Sequence, residues 1–98
     1  MRFVVEFRPH AFADVAEAFS WYEGQRAGLG PEFEADLEHA VDLLTRTAAA
    51  GPMVHRGVRR VLLRRFPFAL YYELAAEKVK IRGVIHTKRH PSTWKRRS

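Results

Sequence analysis

The chain has 98 residues, enough for one hydrophobic core that buries roughly 60–65% of the unfolded surface and too few for a second domain. It contains no cysteine, which excludes disulfides, cysteine nucleophiles and thiolate metal sites and suits a reducing cytoplasm. The formal charge of +6 is unevenly spread: residues 1–54 carry 4 Lys and Arg against 9 Asp and Glu, a balance of −5, and residues 55–98 carry 13 against 2, a balance of +11. Such a basic half attracts phosphate backbones or the acidic face of a protein partner. No run of about 18 apolar residues is available for a membrane helix, and MRFVVEFRPH reaches Pro9 before an apolar secretory region builds up. A soluble, uncleaved chain is therefore expected.

Residues 2–8, RFVVEFR, are short and rich in β-branched and aromatic types, which predicts a strand closed by Pro9 and His10. From Ala11 the period changes. Phe12, Val15, Ala16, Phe19 and Tyr22 recur at helical spacing and predict a first helix to about Arg26 with that stripe turned inward. Gly28, Leu29 and Gly30 break it, and Pro31 suits the first turn of a second helix, so the pair forms a hairpin. The second helix is predicted over 31–49, with Phe33, Leu37, Ala40, Val41, Leu44 and Ala48 on one side. Glu32, Glu34 and Asp36 lie in its first turns, where the helix dipole favours carboxylates, and read as a solvated face. Gly51 and Pro52 end it.

Three strands follow near 58–65, 68–74 and 78–86, separated by turns at Phe66–Pro67 and Ala75–Glu77. Links this short join antiparallel neighbours. With the N-terminal strand as a fourth member of unassigned position, the order is β-α-α-β-β-β: an α+β fold of two layers, a helical hairpin packed on a mainly antiparallel sheet. Residues 1–98 are expected to be one domain, with 92–98 a loose basic tail holding Lys95, Arg96 and Arg97.

Strict two-residue alternation would point Val61, Leu63, Phe68, Leu70, Tyr72, Leu74, Val79, Ile81 and Ile85 at the helices. The open face would then carry Arg60, Leu62, Arg64, Ala69, Tyr71, Glu73, Lys80, Arg82, Val84 and His86. This concentration of cations around one carboxylate is the candidate working surface. Glu73 can equally be a simple cross-strand partner of Arg64 or Arg82.

Several dispersed motifs carry a resemblance: Trp21-Tyr22-Glu23, then Gly28-Leu29-Gly30 with Phe33, Gly57-x-Arg59-Arg60, Arg64 to Tyr72 (RRFPFALYY), and His86-x-x-Arg89-x-Pro91-x-x-Trp94. Together they resemble the RelE/ParE superfamily of bacterial type II toxins over about residues 3–94, and the RRFPF, GLG and His…Trp signatures look closer to the ParE-like group. The resemblance implies a toxin, encoded beside and neutralised by an antitoxin, with DNA gyrase as target if ParE-like. If RelE-like, it implies an endoribonuclease that cleaves mRNA in the ribosomal A site. One departure is His90, which stands where the family usually has Asp between the arginine and the proline, so that Arg89 loses a carboxylate partner.

Metal-free RNA cleavage needs a base, an acid and cations about the phosphorane. On the ribonuclease reading Arg60, Arg64 and Arg82 neutralise phosphate, Glu73 or His86 serves as base, and His86 or His90 as acid. Trp94 either stacks on a base or packs the tail over the sheet. On the gyrase reading the same surface binds the target through Arg60, Arg64, Tyr71, Lys80, Arg82, Arg89, His90 and Trp94. A third class is a non-toxic basic nucleic-acid-binding domain, whose affinity would fall steeply with salt. The antitoxin is expected to be acidic, with a disordered or helical segment that folds over the toxin. Trp21 reads as hairpin core or antitoxin contact. His10, His39 and His55 show no metal-ligand spacing, and no Gly-rich phosphate loop or Ser/His/Asp set is visible, so neither metal nor cofactor is expected.

Overall fold

A computed structural model describes residues 2–88. In chain order it contains β1 (Val4–Phe7), α1 (Pro9–Gln25), α2 (Leu29–Thr47), a 3-10 turn (Ala48–Ala50), β2 (Met53–His55), β3 (Val58–Leu62), β4 (Phe68–Ala75) and β5 (Lys78–His86). The predicted order is present, with the short β2 added. The sheet runs β1-β5-β4-β3-β2, and β1 is parallel to β5 while the other pairs are antiparallel. The position left open for the first strand is thus beside the last one; the helical hairpin carries the chain from β1 to β2 at the opposite edge, and the antiparallel strands lead back to β5.

Proline occupies the first turn of α1, where its missing N–H leaves no helical bond unmade. The inward stripe of α1 is rotated from the predicted one. Ala11 and Ala18 are buried, Val15, Phe19 and Tyr22 pack against the core, and Phe12 and Ala16 face outward. Small residues on the packed face let the helix approach β5 closely, which periodicity counting does not anticipate.

The hairpin turn explains the WYE and GLG motifs. Gly28 adopts φ 91°, a left-handed conformation that glycine enters without a Cβ penalty. The Glu23 carboxylate accepts the N–H groups of Gly28 at 3.0 and 3.1 Å and of Gly30 at 2.9 Å, satisfying donors that the start of α2 leaves open. Gly30 has no room for a side chain, since a Cβ there would sit 2.9 Å from the Phe19 ring.

On α2, Phe33, Leu37, Ala40 and Leu44 are buried, as their spacing predicts. They meet Leu70, Tyr72, Val79 and Ile81 of the sheet in one cluster. Its most aromatic part joins Tyr22, Phe33, Phe66 and Phe68, with ring centroids 4.8–6.1 Å apart and mostly edge-to-face. Asp36 corrects the reading of a wholly solvated acidic face. It is 5% exposed, and its Oδ2 accepts the N–H groups of Arg65 and Phe66, each at 2.9 Å. A helix carboxylate thereby fixes the RRFPF turn, which shortens the predicted 58–65 strand to Val58–Leu62. Glu32 is engaged as well, with Arg26 at 3.1 Å and Arg65 at 2.9 Å.

Candidate functional site

The basic surface is built by register. Arg60 on β3 lies opposite Tyr71 on β4, and Glu73 lies opposite Lys80 on β5. Tyr71 belongs to a small buried cluster with Val58, Ala69 and Ile85, distinct from the helix-side core that holds Leu70 and Tyr72. Arg60, Tyr71, Glu73 and Lys80 therefore share the face turned away from the helices.

Between Tyr72↔Ile81 and Tyr71↔Gly83 the register slips, so β5 carries one extra residue, Arg82. Such a bulge leaves two residues facing one partner and inverts the side alternation beyond it. Arg82 stays with the open face, where its Nη1 is 3.3 Å from Glu73 Oε2. With these side chains 22% and 38% exposed, the pair contributes a few tenths to about 1 kcal/mol.

Beyond the bulge the predicted sides are exchanged, which corrects three placements. Val84 joins the helix-side core, Ile85 joins the open-face cluster, and His86 turns toward α1. His86 lies opposite Phe68, ring centroids 5.2 Å apart, and the Lys88 N–H donates to its Nδ1 at 3.1 Å. Arg64 lies beyond the end of β3 rather than within the strand, exposed in the turn that Asp36 holds. Arg89, His90, Trp94 and the tail 92–98 lie outside the described residues.

The structure thus brings Arg60, Tyr71, Glu73, Lys80 and Arg82 together and separates His86 from them. His86 instead lines a groove of about 470 Å³ with Asp14, Glu17, Trp21, Tyr22 and Phe68. Trp21, 60% exposed, stands at this groove rather than in the hairpin core. Burial pushes the Tyr22 hydroxyl above its ordinary value. Asp14 escaped the sequence reading. Where β1 has stopped pairing at Phe7↔Ile81, β5 runs on, and Asp14 Oδ2 accepts the Val84 N–H at 2.9 Å. No local pattern announces a bond across 70 residues. Among the described residues, no three His, Asp or Glu side chains gather as a metal site requires, and no helix is long and apolar enough to cross a membrane.

This arrangement, a helical hairpin that links the two edge strands of a five-stranded sheet and packs on the face opposite the cations, is the fold of the RelE/ParE toxins. A chain of the chromosomal ParDE TA system from P. aeruginosa superimposes with a TM-score of 0.79 at 19% identity, covering 89% of this chain and 98% of that one. A chain of the toxin–antitoxin complex RelBE2 from Mycobacterium tuberculosis gives 0.63 at 24% identity, covering 88% and 99%. No family model matches the sequence, and no curated protein matches it.

Proposed function

We propose that this protein is the toxin component of a type II toxin–antitoxin module and inhibits growth in the cytoplasm by binding its target, as ParE-like toxins bind DNA gyrase, rather than by cleaving RNA. The observation that carries this reading is the bulge at Arg82. It turns His86 to the helix side while Arg60 and Arg82 remain on the open face, so these three groups do not converge on one phosphate. The open face is suited to an acidic protein surface, because Arg60, Lys80 and Arg82 outnumber Glu73 there. The greater likeness of the fold to the ParDE chain than to the RelBE2 chain supports the same choice. Both solved chains come from toxin–antitoxin systems, which supports a neutralising antitoxin as the cognate partner.

The test is induction of this protein alone in bacteria, with mRNA 5′ ends mapped within minutes of arrest and the purified protein added to a gyrase supercoiling reaction. Arrest with inhibited supercoiling and without new 5′ ends is expected. New ends at fixed codon positions, lost in R82A or H86A, would establish the RelE-like ribonuclease instead. Soluble protein without arrest would leave the non-toxic nucleic-acid-binding reading.

A further inference from the structure

The groove that His86 lines opens where α1 meets the end of β5, and two small buried side chains, Ala18 and Val84, lie among its lining. A larger residue at position 18 would fill it. Aromatic rings make one continuous wall: Trp21 lies 5.1 Å from Tyr22, Tyr22 6.1 Å from Phe68, and Phe68 5.2 Å from His86. Trp21 nevertheless stays 60% exposed, so much of its ring forfeits the contacts it would gain against a bound molecule. The volume, about 470 Å³, is that of a small-molecule site.

Charge narrows the chemistry of that molecule. Asp14, Glu17, Ala18 and Trp21 follow one another at i, i+3, i+4 and i+7, so one face of α1 runs from two carboxylates to an indole over roughly 10 Å. Asp14 is positioned by the Val84 N–H, which its Oδ2 accepts at 2.9 Å, and a carboxylate has more acceptor sites than that bond uses. Glu17 is exposed. Among the described lining residues only Lys88 carries a fixed positive charge, so the groove is an anionic place in a chain of net charge +6. A metal ion suits it poorly, since no three metal-ligating side chains gather among the described residues and the rings would contribute little to holding one. An organic cation uses both halves: carboxylates take an ammonium group, and aromatic faces take methylene groups and a further ammonium.

We infer that this groove binds a free linear aliphatic polyamine, with one ammonium group at Asp14 and Glu17, the methylene chain along Tyr22 and Phe68, and a second ammonium against the Trp21 ring. A lysine side chain offers the same alkylammonium chemistry with a single charge. The groove has an anionic end and an exposed aromatic end, which together match a chain charged at both ends. The positive charge of the rest of the molecule repels a polycation, so its binding requires a local anionic site of this kind. The inference stands apart from the toxin reading, since it uses neither the basic sheet face nor a growth phenotype.

The probe is spermidine, titrated into the full chain by isothermal calorimetry at neutral pH and fixed ionic strength. Saturable one-to-one binding is expected. Glu17→Gln and Trp21→Ala should each weaken it by about threefold or more, and the two together by about tenfold or more. Both side chains are exposed, and thermal melts of the variants check that the chain still folds. Lys88→Ala, which removes a like charge from the groove, should tighten binding by about twofold. Glu34→Gln with Glu38→Gln, on α2 and outside this groove, should leave it unchanged. Nα-acetyl-lysine amide, with one ammonium group, should bind about tenfold more weakly or not at all. Absence of saturable binding would overturn the proposal, as would wild-type affinity in the Glu17 and Trp21 variants. Loss of binding in the Glu34 and Glu38 variant would place the cation on α2 instead. Equal affinity for the lysine amide would mean that the groove reads a lysine side chain, and equal competition by magnesium at matched charge would reduce the effect to diffuse electrostatics; either result would sink the polyamine assignment.

Discussion

The rings of Phe68 and His86 face each other across β4 and β5 at 5.2 Å, nearly edge to face, on the helix side of the sheet. One residue of β5 put them there. With strict alternation His86 would stand among the arginines, and the bulge at Arg82 sends it to the opposite side.

If the proposed function holds, His86 is dispensable for target binding and the open face is required. His86→Ala should cost about 1 kcal/mol of stability, through lost ring contact and the lost acceptor for Lys88, and leave growth arrest intact. Arg60→Glu with Lys80→Glu should leave the melting curve nearly unchanged and raise the concentration needed to inhibit supercoiling by about tenfold or more. Growth curves after induction and a supercoiling titration check both. Loss of arrest in His86→Ala with wild-type stability would contradict the assignment.

Asp36 is a structural carboxylate placed on a helix to hold a turn. Asp36→Ala leaves the part-buried Arg65 N–H and the buried Phe66 N–H without their acceptor and should cost about 1–3 kcal/mol in urea unfolding. Asp36→Asn keeps one acceptor oxygen and should lose less. Equal stability of Asp36→Ala and the wild type would show that the turn holds itself.

Tyr72 and the 3-10 turn form another checkable pair. The Tyr72 hydroxyl donates to the Ala48 carbonyl at 2.7 Å, and Arg59 Nη1 donates to the Gly51 carbonyl at 2.6 Å. A Cβ on Gly51 would run into Tyr72 Oη. Gly51→Ala should therefore destabilise by about 1–3 kcal/mol, and Tyr72→Phe in that background should recover part of the loss by removing the oxygen. A double-mutant cycle of chemical denaturation reads the coupling. Strict additivity of the two changes would sink this account.

Glu23 gives a pH dependence of definite sign. The N–H groups of Gly28 and Gly30 hold its carboxyl below the ordinary range, and Glu32 is held low by Arg65 and Arg26. A folded value below the unfolded one gives stability fully present above the unfolded value, about 4.3, and lost as pH falls through the folded value. Thermal melts from neutral pH downward should thus show stability declining once pH drops below about 4.3, and Glu23→Gln should flatten that decline. An acid limb as steep in Glu23→Gln as in the wild type would remove Glu23 from the explanation.

The sequence by itself determined the order of the elements, the α2 core stripe, the helical hairpin at Gly28–Gly30 and the concentration of cations after residue 55. These are local properties, written in hydrophobic period, glycine conformation and composition. Phe33, Leu37, Ala40 and Leu44 are buried where their spacing places them, and Arg60, Tyr71, Glu73 and Lys80 share the predicted face.

Only the tertiary structure decided the rest. The β1–β5 pairing depends on where the hairpin returns the chain, and the rotation of α1 depends on how closely Ala11 and Ala18 can approach the sheet. Asp36 and Asp14 are structural because of backbone N–H groups 29 and 70 residues away, beyond any local pattern. The side of His86 turned on a single inserted residue, because a period of two converts a one-residue slip into a change of face.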